Sequence, residues 1–432
     1  MRVLAGLLVS AALTMTAVAQ GRLTADEQAV VAFVDTHNDG ALALLERVVN
    51  INSGTQNHQG VREVGKIFMQ ELDSLGFTTR WVDGSGFGRA GHLVAEHSGS
   101  GPKILLIGHL DTVFEADSPF QKMERLDART ARGPGIIDMK GGNVIIIQAL
   151  KALASTGALK TMNVTVVMTG DEEDSGEPLS QAREALVNAA KGAAVAIGFE
   201  DGPGDPKTAV VARRGTTGWT LRVKGQPAHS SQIFREDIGS GAIFEAARIL
   251  NTFREKMAGE PHLTLNPGSI VGGTTVEFDG VQARGTAFGK TNVIAEHAVV
   301  AGDLRTLSPE QLAKARQTME SIVAAASRHA SATITFDEGY PPMAPSEGNR
   351  KLLALYDQAS RDVGAGPVAA VNPDRAGAAD VSFVAGHVKM ILDGVGLMGR
   401  DDHTVKETAD LSTLPSQTKR AAVLLLRLAS GQ

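Results

Sequence analysis

The chain has 432 residues, more than one hydrophobic core usually organises, so two domains are expected. Hydrophobic residues at 43% and charged residues at 21% are ordinary for a folded globular protein and argue against disorder. A formal net charge of -6 gives no electrostatic reason to expect nucleic acid or an anionic membrane as partner, and leaves small polar substrates open.

Met1-Arg2, the apolar run 3–18 and the small residues Ala17-Val18-Ala19 have the layout of a secretory signal peptide, 1–19, cleaved after Ala19. The run is short for a membrane span and carries Ser10, Thr14 and Thr16. A periplasmic or secreted protein is expected, with no membrane attachment after cleavage. The chain has no cysteine, so neither a lipid-attachment site nor a disulfide is available, and stability must come from packing and bound metal.

Thr24-Ala25-Asp26-Glu27 reads as a capping box opening a helix to about Asn50, with a break near Gly40. A second helix, 61–75, is closed by Gly76. Strands at 77–82, 92–96, 103–107, 163–168 and 193–199 then alternate with helices at 143–154 and 179–190. This order predicts an α/β domain with a mixed, largely parallel sheet flanked by helices. From about Val210 the order changes to strand 218–223, helix 238–256, strands 269–278 and 298–304, helix 308–329 and strand 332–336. That β-α-β-β-α-β pattern is the split arrangement of a ferredoxin-like domain, read as an insertion. The boundaries are set at 20–208 and 329–432 for the first domain and 209–328 for the insertion; helix 350–363, strand 388–393 and helix 415–428 return to the first domain.

In extended backbone, residues two apart point the same way, so in Gly108-His109-Leu110-Asp111 the carboxylate of Asp111 can orient one ring nitrogen of His109 while the other faces a metal. Glu172-Glu173 follows strand 163–168, Glu200 ends strand 193–199, and His403 lies in a loop after strand 388–393. Asp138 sits in a glycine-flanked loop where backbone can approach an ion closely. Any one of these carboxylates alone reads as a helix cap or a solvated loop residue. Together they gather at the carboxyl ends of strands, where open α/β sheets collect ligands. Adjacent Glu172 and Glu173 cannot easily both face one ion, so one is expected to bind metal and the other to handle protons. Two zinc ions bring four positive charges against the three negative ones of Asp138, Glu173 and Glu200; the positive remainder favours bound hydroxide, with a pKa that zinc lowers to roughly 7.

Gly108-His109-Leu110-Asp111-Thr112-Val113, Gly133-Pro134-Gly135 leading to Asp138-Met139-Lys140-Gly141-Gly142, Asp171-Glu172-Glu173, Gly198-Phe199-Glu200 and His403-Thr404 occur in that order. Over nearly the whole chain after the signal, these motifs resemble the zinc peptidase family that includes bacterial glutamate carboxypeptidase, aminoacylases and succinyl-diaminopimelate desuccinylase. The resemblance implies two Zn2+ per subunit, with Co2+ or Mn2+ as substitutes: His109 and Glu200 on one, Glu173 and His403 on the other, and Asp138 between them. Glu172 would be the general base and then the acid, and Asp111 would orient His109. The insertion resembles that family's lid and dimerisation domain, which implies a homodimer. There, Gly225-Gln226-Pro227-Ala228-His229-Ser230 resembles the segment whose histidine reaches the partner subunit's site and stabilises the oxyanion. Thr291-Asn292-Val293-Ile294 resembles a substrate-contacting turn, and Arg305 of Asp303-Leu304-Arg305 suits a bidentate grip on a substrate carboxylate. Arg213-Arg214-Gly215 could add anion recognition, with a solvated turn as the preferred reading. Three departures stand out: Ala295 after the Asn292 turn, the charged Arg400-Asp401-Asp402 before His403, and Gly377-Ala378-Ala379-Asp380 without a hydroxyl side chain.

The implied function is zinc-dependent amide hydrolysis next to a free carboxylate, by zinc-hydroxide attack, on a small peptide with a C-terminal amino acid such as glutamate or on an N-acyl amino acid. A dipeptidase or aminopeptidase of the same family is the alternative, although the family's members of that kind tend to carry Asp at the position of Glu200. A non-catalytic peptide-binding homologue is a further alternative, which would be expected to have lost Glu172 or a ligand.

Overall fold

The computed structural model describes residues 23–280 and 284–431; the expected signal peptide, 1–19, lies outside them. The capping box forms, the Thr24 hydroxyl accepting from Glu27 N at 3.3 Å while the Glu27 carboxylate accepts from Thr24 N at 2.7 Å. The helix breaks earlier than expected: Ala25–Thr36 gives way to Asn38–Val49 at His37, whose ring stacks on Phe33, and Gly40 lies inside the second helix. Helix His58–Ser74 also starts earlier, because the Asn57 side chain caps Gly60 N.

The larger sheet has six strands in the order Thr78–Asp83, Gly91–His97, Asn163–Thr169, Lys103–His109, Val195–Gly198 and Met390–Leu392. The last four run parallel and the first two pair antiparallel at one edge, which is the mixed, largely parallel arrangement expected. Alternate residues of each central strand serve opposite faces. Ile104, Leu106, Val164 and Val166 pack with helices Ala25–Thr36, Gly141–Ser155 and Thr413–Ala429. Leu105, Ile107, Val167 and Ala196 pack with helix Glu184–Ala190 and the turn Asp380–Val384. Burial of each large aliphatic side chain contributes about 1.5–3 kcal/mol, and coverage on both faces explains why these strands are continuous apolar runs.

The inserted domain carries a four-stranded antiparallel sheet in the order Thr264–Gly273, His297–Thr306, Gly215–Gly225, Ala330–Phe336, with helices Gly241–Met257 and Pro309–Ala324 sharing its core. This is the ferredoxin-like order. Its last strand pairs with Gly215–Gly225, so the sheet runs past residue 328, beyond the boundary set from sequence. The single strand expected at 269–278 is divided at Gly273, and its second part forms a hairpin, Thr275–Asp279 with Arg284–Phe288. The two connections between the domains pair with each other, Arg213 opposite Met343 and Thr216 opposite Tyr340.

A small sheet not anticipated from sequence, Glu124–Arg125, Thr130–Arg132, Thr408–Asp410 and Gly399–Arg400, holds both ends of the loop that carries His403. Among the described residues no helix is long and apolar enough to cross a membrane.

Candidate metal centre

His109 is the last residue of its strand, Glu172 and Glu173 follow strand Asn163–Thr169, and Glu200 follows strand Val195–Gly198, all at the carboxyl edge of the parallel sheet. Asp138 comes from the loop before helix Gly141–Ser155. That helix approaches the sheet closely through Gly142, where a Cβ would overlap the Phe199 carbonyl oxygen. His403 arrives on the loop between Gly399–Arg400 and Thr408–Asp410 with a φ of 58°, a left-handed conformation rare for a non-glycine residue and concentrated at functional sites.

Two groups of side chains with metal-ligating atoms result, and they share Asp138. His109 Nε2 lies 3.0 Å from Asp138 Oδ1 and 3.5 Å from Glu200 Oε1. His403 Nε2 lies 2.8 Å from Asp138 Oδ2 and 3.2 Å from Glu173 Oε2. The two oxygens of one carboxylate thus face two different imidazoles. Glu172 lines the same cleft of about 240 Å³ and belongs to neither group.

The electrostatics suit cations. Burial opposes charge on His109, yet Glu200, Asp111 and Asp138 hold its pKa well above the ordinary range. Hydrogen bonds to Asp138 and Glu173 push His403 up to about 11. Burial acts against the Asp138 carboxylate, but His109 and His403 hold its pKa below the usual value. Burial and Asp138 push Glu173 up to about 7, and its Oε1 is buried without a hydrogen-bond partner. Glu200 is raised well above the usual range, by burial first and by Asp138 and Asp393 next. Burial, then Glu200, Asp380 and Glu173, raise Glu172 well above it too, against the opposing effect of His109. Clustered carboxylates and imidazoles that draw in positive charge, with one carboxylate oxygen unpaired, are a donor set that fits borderline divalent cations.

The supports around these residues come from remote segments. Asp111 is fully buried; its Oδ1 accepts from Glu172 N at 3.0 Å, and its Oδ2 from Glu173 N at 3.1 Å and Thr55 Oγ1 at 2.7 Å. His109 Nδ1 lies 3.1 Å from the Asp111 carbonyl oxygen and 3.4 Å from its carboxylate. Asp111 therefore touches the histidine and anchors the Glu172-Glu173 backbone together. Burial opposes its charge, but His109, Thr55 and Glu172 N hold its pKa below the usual value. Glu407, not singled out from sequence, is fully buried and accepts from Gly135 N and Ile137 N at 2.9 Å and from Asp138 N at 3.3 Å. It ties the His403 segment to the Asp138 loop. Its spacing of four residues from His403 was the one available signal, and the partners it needs are backbone groups that no pattern displays.

A family model for Peptidase family M20/M25/M40 matches residues 105–427. The chain belongs to this family. As a member it is a hydrolase acting on peptide or amide bonds. It is 28% identical to carboxypeptidase G2 from Pseudomonas sp. (strain RS-16), across 99% of this chain and 98% of the relative. The fold is similar to aminopeptidase PepT from Bacillus cereus, with a TM-score of 0.71 at 18% identity, covering 91% of this chain and 99% of that one. It is also similar to the Bacillus subtilis YXEP protein, described as a dinuclear metal binding peptidase, with a TM-score of 0.64 at 17% identity, covering 92% and 99%.

In this M20-family chain the inserted domain keeps its three expected site residues apart from the cleft. His229 and Asn292 are exposed neighbours there: His229 forms a bridge with Val293, and Ser230 N donates to Asn292 O at 2.9 Å. Arg305 donates through Nε to Asp303 at 2.8 Å, and none of the three is on the cleft wall. Arg213 departs from its expected place in a solvated turn. It is buried, because Asp393, 180 positions away in sequence, accepts from its Nε at 2.6 Å; burial opposes its charge, but Asp393 keeps its pKa above the ordinary value. Asp380 is buried as well, and salt-bridges Arg183 at 2.9 Å.

Proposed function

We propose that the protein is a secreted or periplasmic zinc-dependent amidohydrolase of the carboxypeptidase or N-acyl-amino-acid deacylase kind, cleaving the amide next to a free carboxylate. The observation that carries this reading is Glu172, a half-buried carboxylate in the cleft of two ligand groups that share Asp138, itself outside both. His109 and Glu200 would hold one Zn2+ and Glu173 and His403 the other, with one Asp138 oxygen on each; Co2+ or Mn2+ could substitute. When bound, the pair supplies Lewis acidity for the scissile carbonyl and for the water that attacks it. Glu172 takes a proton from that water and passes it to the departing amine. Burial and the neighbouring carboxylates raise its proton affinity, the direction that lets it keep the proton between the two steps. Asp111 fixes the ring of His109 and the backbone of both glutamates, which holds these groups in register through the reaction.

Full-length similarity to a protein named carboxypeptidase G2, and glutamate rather than aspartate at position 200, favour carboxypeptidase or deacylase over dipeptidase or aminopeptidase. Export is supported by the signal-like segment 1–19. A homodimer through the inserted domain is supported by Ile243, Phe244, Ile270 and Phe288, large apolar side chains left exposed on it, and by the edge position of strand Thr264–Gly273. In such a dimer His229 and Asn292 would serve the partner's cleft, His229 stabilising the oxyanion, and Arg305 would grip the substrate carboxylate.

The test is a hydrolysis screen of the zinc-loaded protein over N-acyl amino acids, C-terminal glutamate conjugates and free dipeptides, beside Glu172→Gln at equal metal content. Turnover of the first two classes, reduced by at least about 100-fold in Glu172→Gln, is expected. Substantial turnover by that variant would remove the base assignment, and turnover of dipeptides alone would move the protein to the rival class.

A further inference from the structure

The ribbon that joins the two domains reaches the chemistry directly. Thr216 N donates to Tyr340 O at 3.0 Å, and Arg213 and Met343 exchange two backbone hydrogen bonds at 2.9 Å. Gly339 allows this pairing: its φ is +60°, and a Cβ there would overlap the Thr216 carbonyl oxygen. Each strand of the ribbon then grips a loop of the candidate metal centre. On the incoming strand, Arg213 holds Asp393, whose Oδ1 accepts from Gly394 N at 2.7 Å and from Glu200 N at 3.4 Å. On the returning strand, the Tyr340 hydroxyl donates to the Glu172 carbonyl oxygen at 2.8 Å.

That hydroxyl is held from several sides. Arg183 Nη2 donates to it at 2.5 Å and Ser175 Oγ lies 2.9 Å away, while the ring packs against Phe383 at a centroid distance of 4.7 Å. Arg183 is itself fixed, bonding Asp171 Oδ1 at 2.7 Å and Asp171 O at 3.0 Å. The half-buried phenol therefore has its donor aimed at one acceptor. Among the described residues the Glu172 carbonyl oxygen has no other hydrogen-bond partner.

We propose that Tyr340 is a positioning residue for Glu172, through which the interdomain ribbon sets the placement of the proton-handling carboxylate. The inference rests on the reading of Glu172 as the group that moves the proton. Asp111 fixes the amide nitrogens of Glu172 and Glu173 from one side, and Tyr340 fixes the Glu172 carbonyl from the other. A rotation of the inserted domain about the ribbon would move the phenol against this peptide and reorient the side chain that extends from it. Domain orientation and proton transfer are thereby coupled without any contact between Tyr340 and substrate.

Tyr340→Phe tests this, since it keeps the ring and removes only the hydroxyl. In the full-length metal-loaded protein, kcat is expected to fall about tenfold while KM stays within about twofold, the cost of one hydrogen bond expressed in the chemical step. Hydrogen exchange at the amides of Glu172 and Glu173 should rise by a similar factor while the thermal midpoint falls by no more than about 2 °C, a pattern that a general packing defect would not give. Unchanged exchange at these amides would overturn the proposal, as would a loss of stability spread over the whole chain. Exchange is read without any substrate, so a failure of the hydrolase reading would leave this result standing on its own.

Discussion

Replacing Asp111 by asparagine keeps the size of the side chain and removes one acceptor. Each carboxylate oxygen faces a backbone N–H, Glu172 N at 3.0 Å on one and Glu173 N at 3.1 Å on the other, and Thr55 Oγ1 adds a third bond at 2.7 Å. Whichever way the amide turns, its NH2 meets an N–H donor at hydrogen-bond distance. A hydrogen bond to a charged group contributes about 1.5–3 kcal/mol, and an orphaned buried donor costs about 1–3 kcal/mol, so the expected loss is about 3–5 kcal/mol. Against the 5–15 kcal/mol typical of a folded domain this is a large fraction. The variant should also bind zinc about 10- to 100-fold more weakly, because the same residue steadies His109 and Glu173. Denaturant unfolding of the metal-stripped protein and a chelator competition read the two effects separately. An asparagine variant within about 1 kcal/mol of the parent would refute the anchoring argument.

Two further outcomes are expected. Phe244→Asp combined with Ile270→Asp should convert a dimer to a monomer in sedimentation and reduce hydrolysis by at least about tenfold, since His229 and Asn292 would have no partner cleft to enter; a monomeric parent would contradict the dimer proposal. Burial opposes charge on Glu27, but Arg427 Nε at 2.6 Å and the Thr24 backbone hold its pKa below the ordinary 4.5. A lowered folded-state value means that this stabilisation is complete above pH 4.5 and is lost as pH falls through the folded pKa, so Glu27→Gln should cost about 2 kcal/mol at pH 7 and less in acid; equal loss at both pH values would argue against it.

The gathering of these side chains in one cleft was legible because metal-type residues at the ends of apolar strands leave a linear trace: His109, Glu173 and Glu200 each follow or end a run that reads as a strand. Both sheets were legible for the same reason, the first as alternating strands and helices and the second as the split βαββαβ order. Apart from Asp111, the residues that brace this cluster were not. Glu407 and Tyr340 act on backbone groups of distant loops, and Arg213 was misread because its partner Asp393 lies far along the chain. The small sheet around His403 escaped notice because its strands are two or three residues long, too short for alternation to show. The boundary at residue 328 cut off the last strand of the β-α-β-β-α-β pattern already read there, and that strand, Ala330–Phe336, pairs with Gly215–Gly225.

Zinc titration of the metal-stripped protein, with bound metal counted per chain, tests most directly whether Asp138 joins two cation sites. Two ions per chain are expected for the parent, and Asp138→Ala should lose high affinity for both, since one oxygen of that side chain faces His109 and the other His403. A parent that binds a single ion, or an alanine variant that still takes up two with undiminished affinity, would contradict the account.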